Sequence, residues 1–163
     1  MTTFRRVFGV AAAAQDAIAI AKSREPEAPD GACLHTIAIL GYSNGGRAAI
    51  QLAERLQEAN VWVDVGFSVD AIPKGVENLP PLLFVPELFI RKPESVGLWI
   101  NFYQRTDWVL RGHPVAGADE ERKIEGLGPS GHTEIPHSFS VLRRLKRLLE
   151  DTPRWRSDWR WRS

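Results

Sequence analysis

The sequence predicts an α/β domain with a small, mostly parallel sheet, and three observations carry that reading. Short apolar and β-branched runs at Leu34–Leu40, Val61–Val69 and Val96–Gln104 read as buried strands. Between the first two, Gly45 to Glu58 sets Ala49, Leu52, Ala53 and Leu56 at helical spacing and leaves Arg47, Glu54 and Arg55 for solvent. A succession of strand, helix, strand, loop and strand requires crossover connections, which favour parallel neighbours.

The remaining elements follow in chain order. Val10 to Lys22 is rich in Ala and Ile and predicts a helix; Gln15 and Asp16 interrupt its apolar run, which disfavours a secretory signal. Pro26, Pro29 and Gly31 make Ser23 to Ala32 a loop. After the second strand, Val76 to Ser95 is strongly apolar but broken by prolines at 80, 81, 86 and 93, so regular structure is not expected along its length. Within it, Leu82, Leu83, Phe84, Val85, Leu88 and Phe89 read as core, interface or the lining of a lid. In the third strand Trp99, Phe102 and Tyr103 read as packing residues, and Gln104 as a residue that orders the chain beyond.

Arg105 to His137 is polar and glycine-rich and reads as a long loop. From Ser138 to Asp151 an amphipathic helix is expected, with Phe139, Leu142, Leu145 and Leu149 as its apolar stripe, Arg143, Arg144, Lys146 and Arg147 around it, and Pro153 as its stop. Residues 1–150 thus form a single domain and 151–163 an Arg/Trp-rich tail holding half of the six tryptophans. The tail's chemistry suits packing on the domain, pairing with another subunit, or contact with an anionic surface.

Bulk composition narrows the function. The 163 residues are 44% hydrophobic and 25% charged, as in a soluble globular domain, and no apolar run is long enough to span a bilayer, so stable membrane insertion is not expected. Lys plus Arg number 21 against 20 Asp plus Glu, a balance without the basic excess of a nucleic-acid binder. The lone Cys33 cannot form an internal disulfide, and no clustered thiolate site is present in the sequence. A reducing, cytoplasmic setting without metal or redox cofactor is therefore expected.

The chemistry concentrates in Gly41-Tyr42-Ser43-Asn44-Gly45, at the strand-to-helix junction. Gly41 and Gly45 permit a sharp turn and close approach of helix to strand, conditions that lift the Ser43 hydroxyl above the sheet edge. There the Asn44 amide and the positive end of the helix would face negative charge developing on an attacked carbonyl oxygen. The alternative is a glycine-rich anion-binding turn in which Ser43 merely caps the helix, although the lysine of a phosphate-binding loop is missing.

Leu34 to Ala49, "LHTIAILGYSNGGRAA", resembles the nucleophile elbow of the α/β-hydrolase superfamily, and the similarity extends from about His35 to Leu149. The resemblance implies a three-layer fold with an abbreviated N-terminal half, and site residues in the chain order serine, acid, histidine. Asp70, just beyond the strand Val61–Val69, is the candidate acid; Asp107, after the next strand, is the alternative, with Asp64 and Asp119 behind them. His132 is the candidate base, because "GHTEIPHSFS" directly precedes the last helix and Gly131 frees its backbone; His137 is the alternative. His35 lies at the far end of the elbow strand and His113 in a loop. The function implied is hydrolysis of a small-molecule ester or thioester by Ser43, His132 and Asp70, with Asn44 in the oxyanion hole. The opposing reading is a non-catalytic binding or assembly module that keeps the elbow for its tight turn. With few strands ahead of the elbow, an exposed sheet flank favours homo-oligomerisation or a reduced, curled sheet.

Overall fold

The computed structural model describes residues 10–23, 37–72, 90–107 and 110–158, with side chains described at 10–20, 37–72, 90–107 and 110–150. Cys33, His35 and the apolar stretch 82–89 lie outside the described residues, as do the side chains of the tail. The chain is mixed α/β: helix α1 (Val10–Ser23), strand β1 (Ala38–Tyr42), α2 (Asn44–Glu58), β2 (Val63–Val69), β3 (Ile90–Arg91), β4 (Val96–Tyr103), β5 (Val115–Ala116), β6 (Glu120–Lys123), the single turn α3 (Gly131–Glu134), a 3-10 turn (Ile135–His137) and α4 (Phe139–Asp158).

Four strands form one sheet in the order β1-β2-β4-β6, and every pairing in it is parallel. Register sets Tyr42 beside Val69 and Val69 beside Phe102, so the C-terminal ends of β1, β2 and β4 meet on one edge. That edge is where loops of an open parallel sheet gather side chains for chemistry.

Two apolar layers follow from the two-residue alternation of the strands. On one face Trp99 packs with Ala49, Ile50, Ala53 and Leu56 of α2. On the other, Val65, Phe67, Val69, Ile100 and Phe102 meet Ile135 and the α4 residues Val141 and Leu148. Gly66 lets the fully buried Trp99 indole lie flat on β2, since a Cβ there would be 2.1 Å from its Cε3. The indole N–H donates to Ser68 Oγ at 3.0 Å, and Ser68 in turn donates to Asn101 Oδ1 at 2.7 Å. The Trp99 indole and the Ser68 hydroxyl are therefore paired, which removes the desolvation cost of leaving them bare.

Several sequence expectations are corrected. The first strand begins at Ala38 and runs on to Tyr42, and the second begins at Val63, leaving Trp62 exposed. Arg105 to His137 is not one long loop: β5 pairs with β3 and β6 with β4. The sequence of β6, Glu-Glu-Arg-Lys, carries no apolar alternation because it is a largely exposed edge strand, and periodicity therefore misses it.

Helix α4 is rotated from the expected stripe. Val141 and Leu148 are buried and Leu145 half-buried, whereas Phe139, Leu142 and Leu149 face outward. Both sets fit helical spacing; the set containing Val141 and Leu148 packs on the core, and on the same side Arg144 donates from Nε to Glu120 Oε2 of β6 at 3.0 Å and from Nη2 to Oε1. Nor does Pro153 end the helix, which continues to Asp158. A proline removes one backbone hydrogen bond, a loss that a helix held mainly by packing of its apolar face tolerates.

Candidate active site

One residue makes the turn from β1 to α2. Ser43 has φ 58° and ψ −127°, a conformation that costs an L-residue on the order of 1–3 kcal/mol. The strain is held by its own N–H, which donates to Val69 O at 2.9 Å, and by its carbonyl, which accepts from Gly46 N at 2.9 Å. The glycines that allow this approach are Gly41, where a Cβ would be 2.1 Å from Gly45 O, and Gly46, where it would be 2.8 Å from Ala71 Cβ. Gly45 would meet nothing within 4 Å, so the close approach expected of it belongs to Gly46.

Ser43 makes no side-chain bond to the helix, which disposes of the capping alternative. Its Oγ instead lies 2.9 Å from His132 Nε2, and His132 Nδ1 lies 2.6 Å from Asp70 Oδ2. Asp70 occupies the residue after β2, with φ 51°, and is fully buried. Its carboxylate accepts from Gln104 N at Oδ1 (3.0 Å) and from Gln104 Nε2 at Oδ2 (2.9 Å). With donors converging on it, the carboxylate fixes the tautomer of its partner: Nδ1 carries the proton and donates, and Nε2 is left to accept from the Ser43 hydroxyl.

His132 sits in α3, 5% exposed. Gly131 before it serves proximity more than freedom, for a Cβ there would be 2.4 Å from Thr106 Oγ1 and 2.9 Å from Gln104 Oε1. Two residues outside the expected set complete the support. The Tyr42 ring stacks on the imidazole, centroids 5.0 Å apart, and its hydroxyl donates to His132 O at 2.7 Å. Burial, then the nearby charges of Asp70 and Asp107, hold the Tyr42 phenol above its ordinary pKa.

Gln104 is the second. Besides gripping Asp70, its Nε2 donates to Leu110 O at 2.7 Å, while Oε1 accepts from the backbone of Thr106 and Asp107, each at 2.8 Å. This fully buried amide thus ties the acid to the chain that follows β4. Its position at the end of the strand next to that of Asp70 is the sequence signal for this role.

The alternative candidates go elsewhere. Asp107 Oδ1 accepts from Leu110 N at 2.9 Å, in a turn after β4. His137 is exposed at the end of the 3-10 turn. Asp64 accepts from Ile37 N, and Asp119 from Trp99 N and Lys92 Nζ. The Asn44 amide belongs to the first turn of α2, and the residue is exposed beside the half-buried Ser43. Among the described residues no group of three His, Cys, Asp or Glu side chains is placed to hold a metal ion, and no helix is long and apolar enough to cross a membrane.

No protein-family model matches the chain, and a search of curated proteins finds no match.

Proposed function

We propose that this protein is a serine hydrolase of α/β-hydrolase-like fold that cleaves a carboxylic ester or thioester. The observation that carries the reading is the unbroken hydrogen-bonded chain from Ser43 through His132 to Asp70, begun on a strained strand-to-helix turn. Hydroxyl oxygen is a weak nucleophile until a base takes its proton, and here the acceptor nitrogen is already in hydrogen-bond range.

In the proposed reaction His132 Nε2 removes the Ser43 proton as Oγ attacks the carbonyl carbon. Asp70 stabilises the imidazolium that forms, without itself being protonated. The tetrahedral oxyanion draws on the Asn44 amide and the N-terminal end of α2. Collapse expels the alcohol or thiol, which takes the proton from His132, and leaves an acyl group on Ser43. Water, deprotonated by His132, then attacks that ester; its collapse releases the acid and returns the proton to Ser43.

A fluorophosphonate probe tests the proposal, because it modifies a serine only where a base and an oxyanion site assist. Stoichiometric labelling of Ser43, lost in Ser43→Ala and His132→Ala variants of unchanged fold, is the expected result. A folded protein that takes no label, and that hydrolyses neither p-nitrophenyl acetate nor an acyl thioester, refutes it.

A further inference from the structure

We propose that the outer face of α4 docks on an anionic lipid surface. Phe139, Leu142 and Leu149 are 74, 49 and 61% exposed, and the half-buried Leu145 joins the two leucines at helical spacing. Leu142 and Leu149 flank the buried stripe beside Leu145, with Lys146 between them and Phe139, and solvated helices seldom leave three large apolar side chains so exposed. Exposed Arg143, Lys146 and Arg147 border this ridge, and the Arg143 guanidinium lies 5.7 Å from the centroid of the Phe139 ring. Glu150 tempers that charge only at the far end, where it pairs with Lys146 at 3.7 Å.

Charge along the chain points to the sign of the partner. Residues 139–163 carry eight Lys and Arg against three Asp and Glu, a net +5, in a chain whose total is +1; the preceding 138 residues are therefore net −4. The basic excess is confined to the segment that bears the ridge, although the whole molecule is nearly neutral. A polyanion alone would be met by the arginines and lysine and would leave the leucines and phenylalanine without a use. A bilayer with anionic headgroups meets both, taking the apolar ridge at the acyl boundary and the cations at the phosphates. The ridge begins at Phe139, seven residues after His132, but the proposal is independent of what Ser43 does.

Co-sedimentation of the full chain with vesicles tests it. Binding to phosphatidylcholine vesicles containing phosphatidylserine is expected, little binding to phosphatidylcholine alone, and release as salt rises from about 0.05 to about 0.5 M. The Leu142→Asp/Leu149→Asp variant should partition at least roughly tenfold less. Arg143→Gln should lose roughly fivefold. These side chains are exposed, so unchanged thermal unfolding shows that the fold persists. No binding to the anionic vesicles overturns the proposal, as does binding that the leucine substitutions leave unchanged. So too does a concentration-dependent dimer that those substitutions abolish, or duplex DNA bound in preference to vesicles and indifferent to the leucines.

Discussion

Gln104→Glu places a carboxylate where an amide now donates to Asp70, with the shape of the side chain kept. The existing contact is 2.9 Å between Gln104 Nε2 and Asp70 Oδ2, in a fully buried setting. Two unit charges about 4 Å apart repel by about 4 kcal/mol at an effective dielectric of 20, equivalent to roughly 3 pKa units. Burial and repulsion by the Asp70 carboxylate both disfavour ionisation of the carboxyl introduced at position 104, so the folded variant holds a proton there that the unfolded chain releases near neutrality. That introduced carboxyl has a folded pKa raised above its unfolded value. Its contribution to stability is therefore present at acid pH and lost as pH rises through the raised value. Thermal unfolding of variant and wild type from pH 4.5 to 8.5 measures this: the gap between them should widen with pH, by up to a few kcal/mol. Fluorophosphonate labelling should fall throughout if repulsion displaces Asp70. A constant stability gap with an unchanged labelling profile would mean that residue 104 does not bear on the Asp70 carboxylate.

Three further expectations rest on separate contacts. Ser43→Gly relieves the left-handed backbone and should stabilise the fold by roughly 1 kcal/mol while abolishing labelling; a lower melting temperature contradicts the strain. Glu120 is held below its ordinary pKa chiefly by its hydrogen bond from Arg144, so this pair contributes above the unfolded carboxylate range and fades as pH falls through the lowered folded value. Arg144→Ala should accordingly cost on the order of 1 kcal/mol at pH 7 and progressively less as pH is lowered into the acid range, read by denaturant unfolding. Gly66→Ala pushes a methyl into the Trp99 ring and should cost about 1–3 kcal/mol, with a changed near-ultraviolet circular dichroism signal as the local readout.

What could be read in the sequence was whatever has a short-range pattern. The helix Asn44–Glu58 shows its apolar spacing in the chain, and buried strands β2 and β4 show as β-branched and aromatic runs. Ser43 and Asp70 were legible because parallel strands put their C-terminal ends on one edge, which makes strand-end residues candidates, and His132 through its place on the loop before the last helix, where the resemblance puts the base. Strand β6 was not, since an edge of four charged residues looks like loop. The rotation of α4 was hidden for a different reason: two apolar stripes satisfy the same period, and contacts distant in sequence, the packing of Val141 and Leu148 on β2 and β4 and the Arg144–Glu120 pair, decide between them. The Gln104 amide could be suspected of ordering the chain after β4, but its grip on Asp70 depends on register between β2 and β4, which periodicity does not give.

The separation of the three linked side chains along the chain has a kinetic consequence. Ser43 and His132 are 89 positions apart and His132 and Asp70 are 62 apart, across parallel pairings that are themselves non-local. Closing such loops costs entropy before any contact compensates, so these bonds are expected to form late, after the β2 and β4 ladder has set. A reagent that depends on all three residues therefore clocks the end of folding: during refolding, Ser43 reactivity should lag behind the return of helical signal.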